Sequence, residues 1–163
     1  MELGQFLELF NPLPGNHYIQ VTTKVDDTTF ALQKMIANVD GEFRLALYGS
    51  DEIELDSFLE STKVQLINKF NTPFRALPRD NDIVIFKDIF LKHTNPELLL
   101  RIAYTTLANT ADIIIMEEKG KMDIEATKEL LEKFEFRAPN YIDLLDGYDL
   151  IMAKKMHMWG NGL

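Results

Sequence analysis

Two charged residues at the end of an apolar run are the first place to look for chemistry in this chain. Residues 82–86 read DIVIF, Lys87 and Asp88 follow at once, and His93 comes shortly after. A continuous apolar run of this kind predicts a strand buried on both faces. In an open α/β sheet, ligands bind at the carboxyl ends of such strands. There Asp88 would serve as a base and His93 as a proton acceptor near a substrate. The plainer expectation is a solvated Lys87–Asp88 pair and an exposed loop histidine, because position alone is a weak warrant.

Other chemistries are excluded by composition and spacing. The chain has no cysteine, which removes disulfides, thiolate catalysis and cysteine-ligated zinc. Its three histidines lie far apart and lack a spacing such as His-Glu-x-x-His, so no metal site is expected. Neither a Gly-x-Ser-x-Gly elbow nor a Gly-x-x-x-x-Gly-Lys phosphate loop occurs. A net charge of −9 argues against a nucleic-acid ligand, which wants a concentrated basic surface. The one local basic cluster, Lys154, Lys155 and His157, is expected to be solvated strand-edge residues. No run approaches the roughly 20 apolar residues of a membrane helix. The acidic MELGQFLELF start is too short for a secretory signal, and a cytoplasmic protein is expected.

The elements that must position these residues follow from periodicity. The 163 residues predict one domain over 1–163, with a short helix at residues 2–10 carrying Leu3, Phe6, Leu7 and Phe10 on one stripe. A strand is expected at residues 17–25, then a helix capped by Asp26 or Asp27 with Leu32, Met35, Ile36 and Val39 on one face. Gly41 is expected to end it in the left-handed position after Asp40. Residues 43–48 predict a strand, residues 55–70 a helix, and residues 74–77 a short strand. Thr94 and Glu97 predict a capping box for the helix that buries Leu99, Ile102, Ala103 and Leu107. Residues 112–116 read as a second fully buried strand, and Asp123 caps a helix to Phe134 with an exposed Glu129–Lys133 pair. Asp146-Gly147 predicts a tight hairpin between strands at residues 141–145 and 148–153. Met152, Met156 and Met158 are expected in the core, and an exposed Trp159 would mark a contact surface. Strands alternating with helices imply an α/β sandwich with a mostly parallel sheet.

This order resembles the class I S-adenosylmethionine-dependent methyltransferases. The likeness is closest where residues 82–86 are followed by Leu91, His93, Asn95-Pro96 and Leu98-Leu99-Leu100. Glu117-Glu118 and the tail Gly147-Tyr148-Asp149-Leu150 also look like that family. The resemblance implies a three-layer Rossmann-like sandwich with a mostly parallel, seven-stranded sheet and a C-terminal antiparallel hairpin. It implies S-adenosylmethionine as cofactor, gripped by a glycine-rich turn after the first strand and by an acid after the second. The corresponding residues here are Thr23 and Asp26 in the first turn, Ser50, Asp51 and Glu52 in the second, and Lys87. Residues 22–27 contain no glycine, although side chains there would occupy the cofactor's space. Two functions therefore stand. One is a methyltransferase-like protein that binds S-adenosylmethionine and acts on an unidentified methyl acceptor. The other is a non-catalytic module that binds a protein partner or a second copy of itself, its cleft filled by its own side chains.

Overall fold

The apolar run after Asn81 lies near the centre of the sheet. The computed structural model describes residues 3–49 and 62–156, and every absence or count below refers to those residues. In chain order they form α1 (Gly4–Leu7), β1 (His17–Thr22), α2 (Asp27–Ala37), β2 (Glu42–Tyr48), β3 (Lys63–Ile67), β4 (Asn81–Lys87), α3 (Pro96–Thr106), β5 (Leu107–Glu118), α4 (Ile124–Lys133), β6 (Phe136–Ile142) and β7 (Tyr148–Lys155). The seven strands make one sheet in the order β3-β2-β1-β4-β5-β7-β6. The first five are parallel, and β7 runs antiparallel to both β5 and β6. This is the expected α/β sandwich with its closing antiparallel pair.

Handedness then distributes the helices. The chain moves outward one way from β1 to β2 and the other way from β4 to β5, so right-handed crossovers place α2 and α3 on opposite faces. Val21, Val84, Phe86, Ile113 and Ile115 pack under Leu99 and Ala103 of α3 and Leu131 of α4. On the other face Tyr18, Leu45, Ile85 and Ile114 pack against Leu32 and Ile36 of α2 and against Phe6 and Phe10. The progression reverses between β1 and β4. That is the topological switch point, where open α/β sheets form their ligand crevice.

Several local expectations are corrected. The helix expected over 55–70 cannot reach Phe70, because residues 63–67 are β3; its first part lies outside the described residues. Residues 74–77 join no ladder. Instead the Gln65 side chain accepts from Arg75 N at 2.7 Å and donates to Arg75 O, docking that segment beside β3. The expected strand beyond Thr22 bends into the turn before α2. The α3 cap is Asn95, whose side chain accepts from Leu98 N, while Thr94 Oγ1 donates to Phe70 O. Asp40, not Gly41, takes the left-handed conformation, with φ 55°. Gly41 is needed for space, since a Cβ there would stand 2.5 Å from Asn16 O.

At the carboxyl end of the chain, Ile142 already pairs with Leu150, so residues 143–147 connect β6 to β7 in place of a two-residue turn. Lys133 contacts Glu97 of α3 instead of Glu129. Met156 is exposed, whereas Met152 packs on the core; His157, Met158 and Trp159 lie outside the described residues. Lys155 is buried, not solvated, and donates to the carbonyls of Tyr104 and Leu107 at the end of α3. No described helix is long and apolar enough to cross a membrane.

Candidate functional site

The register pairs Thr22 with Lys87, so the ends of β1 and β4 stand side by side at the switch point. Lys87 is 0% exposed there. An ammonium has three protons to donate, and here each has an acceptor: Asp26 Oδ2 at 2.7 Å, Asp88 Oδ2 at 2.8 Å and the Tyr148 hydroxyl at 3.0 Å. The Tyr148 hydroxyl in turn donates to Asp88 Oδ2 at 2.7 Å. Burial alone would pull the lysine pKa down. The hydrogen bonds to Asp26, Asp88 and Tyr148 outweigh it and hold the pKa above its ordinary value. Burial likewise raises the Tyr148 pKa, with Lys87 and Asp88 acting in opposite directions.

Each partner is placed by a local rule. Asp26 begins α2: its Oδ1 accepts from Thr28 N at 3.0 Å and from Thr29 N at 3.4 Å, a helix cap that leaves Oδ2 for Lys87. Asp88 sits at φ 60°, an uncommon conformation for a residue other than glycine. In a regular strand Lys87 and Asp88 would point to opposite faces; the left-handed step lets both side chains meet. Hydrogen bonds fix it, with Asp88 N donating to Met116 O and the carboxylate held by Lys87 and Tyr148. Tyr148 arrives from the first position of β7. The Lys87–Asp88 pair is thus buried and braced, contrary to the solvated pair of the plainer expectation.

Glu117, near the end of β5, is buried beside this network and accepts the backbone N–H of Phe90 at 3.1 Å and that of Leu91. Desolvation pushes its carboxyl up to about 7, the Leu91 and Phe90 N–H groups oppose this, and the neighbouring Asp88 charge adds to it. A cleft of about 180 Å³ opens here between Asp88, Leu91, Lys92, Glu117 and Lys121.

The remaining candidates are placed as follows. His93 is buried, not exposed, and both ring nitrogens are occupied: Nδ1 accepts from Asn95 N at 2.9 Å, so Nε2 carries the proton and donates to Thr72 O at 3.1 Å. That imidazole staples the loop before α3 to residue 72. Thr23 is half-buried in the turn between β1 and α2, outside the Lys87 network. Ser50, Asp51 and Glu52 lie outside the described residues. No residue of the turn at 22–27 has positive φ. No three His, Asp or Glu side chains converge as a metal site. The structure therefore brings Asp26, Lys87 and Asp88 together and adds Tyr148, which sequence reading passed over. The one hint was its place directly after Asp146-Gly147.

No protein-family model matches the sequence, and no curated protein sequence matches it either. Solved structures do resemble the fold. A SAM-dependent methyltransferase from Aquifex aeolicus superposes with a TM-score of 0.73 at 13% identity, over 93% of this chain and 88% of that one. The YcgJ protein from Bacillus subtilis gives 0.74 at 9% identity, over 96% of this chain and 98% of that one. Haemonchus contortus phosphoethanolamine N-methyltransferase 2, in complex with S-adenosyl-L-methionine, gives 0.68 at 8% identity; 95% of this chain spans 52% of that one.

Proposed function

We propose that this chain, which has the class I methyltransferase-like fold, does not hold S-adenosylmethionine at its switch point and works as a non-catalytic protein-binding module. The observation that carries the reading is the 2.7 Å contact from Lys87 of β4 to Asp26 of the α2 cap, which bridges the crevice between β1 and β4. A cofactor seated there would have to displace a buried ammonium from three acceptors and leave that lysine without them. Breaking one side of a buried pair costs ~3–5 kcal/mol, enough to cancel much of a micromolar affinity. The turn at 22–27 adds a second obstacle, for it contains no glycine over which a ligand could lie against bare backbone. The cleft left open beside Glu117, about 180 Å³, is below the ~300–1,000 Å³ of small-molecule sites.

Calorimetric titration with S-adenosylmethionine and S-adenosylhomocysteine to millimolar concentration tests this. The expected result is no saturable heat with either; a stoichiometry near one would overturn the reading. A second reading keeps the cofactor, with Lys87 swinging aside to admit it. It is favoured by the likeness to the Haemonchus contortus enzyme that holds S-adenosyl-L-methionine. Under it the same titration gives saturable heat.

A further inference from the structure

The two edges of the sheet are treated differently. The edge strand β6 carries a proline at position 139, which has no N–H, and Ala138 at φ 52°, where the register with β7 shifts between Arg137 and Asn140. These are devices that spoil an edge as a template for another strand. The opposite edge, β3, has neither: its register with β2 is unbroken from Lys63 to Ile67, and none of the described strands pairs with its outer side.

Two cavities adjoin β3, of about 540 and 450 Å³. One is lined by Lys63, Val64 and Gln65 together with Arg44, Leu77 and Asp80, the other by Gln65, Leu66 and Ile67 together with Asn68, Lys69 and Thr72. Arg44 belongs to β2 and Asp80 precedes β4, so the first cavity opens on one face of the sheet beside β3, against the 75–80 segment. The two cavities meet at the Gln65–Arg75 clasp, which lines both. Apolar surface is offered by Leu66, 40% exposed, and Leu77, 68% exposed. Among the described residues around these cavities, cations outnumber acids, although the whole chain carries −9. Arg44 is neutralised by Glu42 and Asp80, and Lys63 contacts Glu42. Lys69 and Arg75, both exposed, make no ion pair among the described residues.

We infer that the outer edge of β3 is the docking surface of this module, taking an extended acidic peptide segment of a partner protein as an added strand. The inference deepens the binding-module reading and rests on it for its sense, but the surface can be tested separately. Backbone hydrogen bonds along β3, about 16 Å of edge, would supply affinity. The cavities beside β3 would take the apolar side chains that the added strand turns to that face, and Lys69 and Arg75 would select its acids. The same two cations discourage basic strands from pairing there.

The probe is a blocked peptide of about nine residues alternating glutamate and valine, titrated into the full chain by amide NMR with hydrogen exchange. Expected are saturable shifts at residues 63–67 and 75–77 and at least tenfold slower exchange of outward-facing β3 amides. The Lys69→Glu, Arg75→Glu double variant and the Leu77→Asp variant, each checked for an unchanged amide spectrum elsewhere, should bind at least tenfold more weakly. The same peptide with lysine for glutamate should not bind. Unchanged β3 exchange at millimolar peptide, equal binding by the double variant, or a peptide-free dimer paired through β3 in sedimentation would each overturn the proposal. S-adenosylhomocysteine added to the same samples reports on Lys87 and Asp26 alone, so the cofactor reading and the docking surface fail independently.

Discussion

A lysine without solvent contact survives only where acceptors replace its water, and Lys87 has one for each proton. Lys87→Met keeps the bulk of the side chain but leaves the Asp26 and Asp88 carboxylates facing each other. It should lower unfolding free energy by ~3 kcal/mol in urea denaturation; a change under ~1 kcal/mol would mean that water already screens the pair. Glu117 is the second informative residue. An acid whose pKa is raised on folding, here from 4.5 to about 7, contributes stability below the lower value and loses it as pH rises through the upper one. Glu117→Gln should therefore gain on the parent by up to ~3 kcal/mol between pH 4 and pH 9. A pH-independent difference in urea midpoints would contradict this. At this scale Asp26, Lys87 and Asp88 were legible, because a capped helix and an apolar run fix where chain ends fall. Their burial was not, since it depends on Tyr148, 61 residues from Lys87 in sequence. His93 was found but its role was not: both ring nitrogens serve a loop that propensity cannot see.

Elements with a long period were readable and short ones were not. The unit β4–α3–β5 carries two apolar runs and an amphipathic helix, so its order was readable, although Leu107, expected on the helix, opens a β5 that runs from there to Glu118. The five residues of β3 offer no such redundancy, and their KVQLI continues a helical spacing from upstream. Residues 74–77 have strand composition, yet a single Gln65 amide satisfies Arg75 in place of a ladder. The stop of α2 is a subtler case: glycine after aspartate is a sound end signal, but the two residues divide its demands. Gly41→Ala would press a Cβ to 2.5 Å from Asn16 O and 2.9 Å from Ile36 Cγ2, costing ~2–3 kcal/mol in thermal or urea unfolding. Asp40→Gly relieves a left-handed aspartate while loosening the unfolded chain, and should stay within ~1 kcal/mol of the parent. Equal effects at the two positions would contradict this division.

For the molecule as a whole, topology decides where a ligand crevice must be, and side chains decide whether it is open. The reversal of strand order between β1 and β4 was implied by alternating strands and helices together with the family resemblance. The ion-pair bridge across it was implied by nothing local, though the missing glycines pointed the same way. Binding, if moved to the β3 edge, would then use a surface whose basic side chains stand out against an acidic chain. The most direct measurement is an amide and lysine-ammonium NMR titration with S-adenosylhomocysteine at millimolar concentration. The expected result is that the Lys87 ammonium signal and the amides of Thr22, Asp26, Asp88 and Tyr148 keep their shifts. Saturable movement of those signals together, with loss of the Lys87–Asp26 contact, would contradict it.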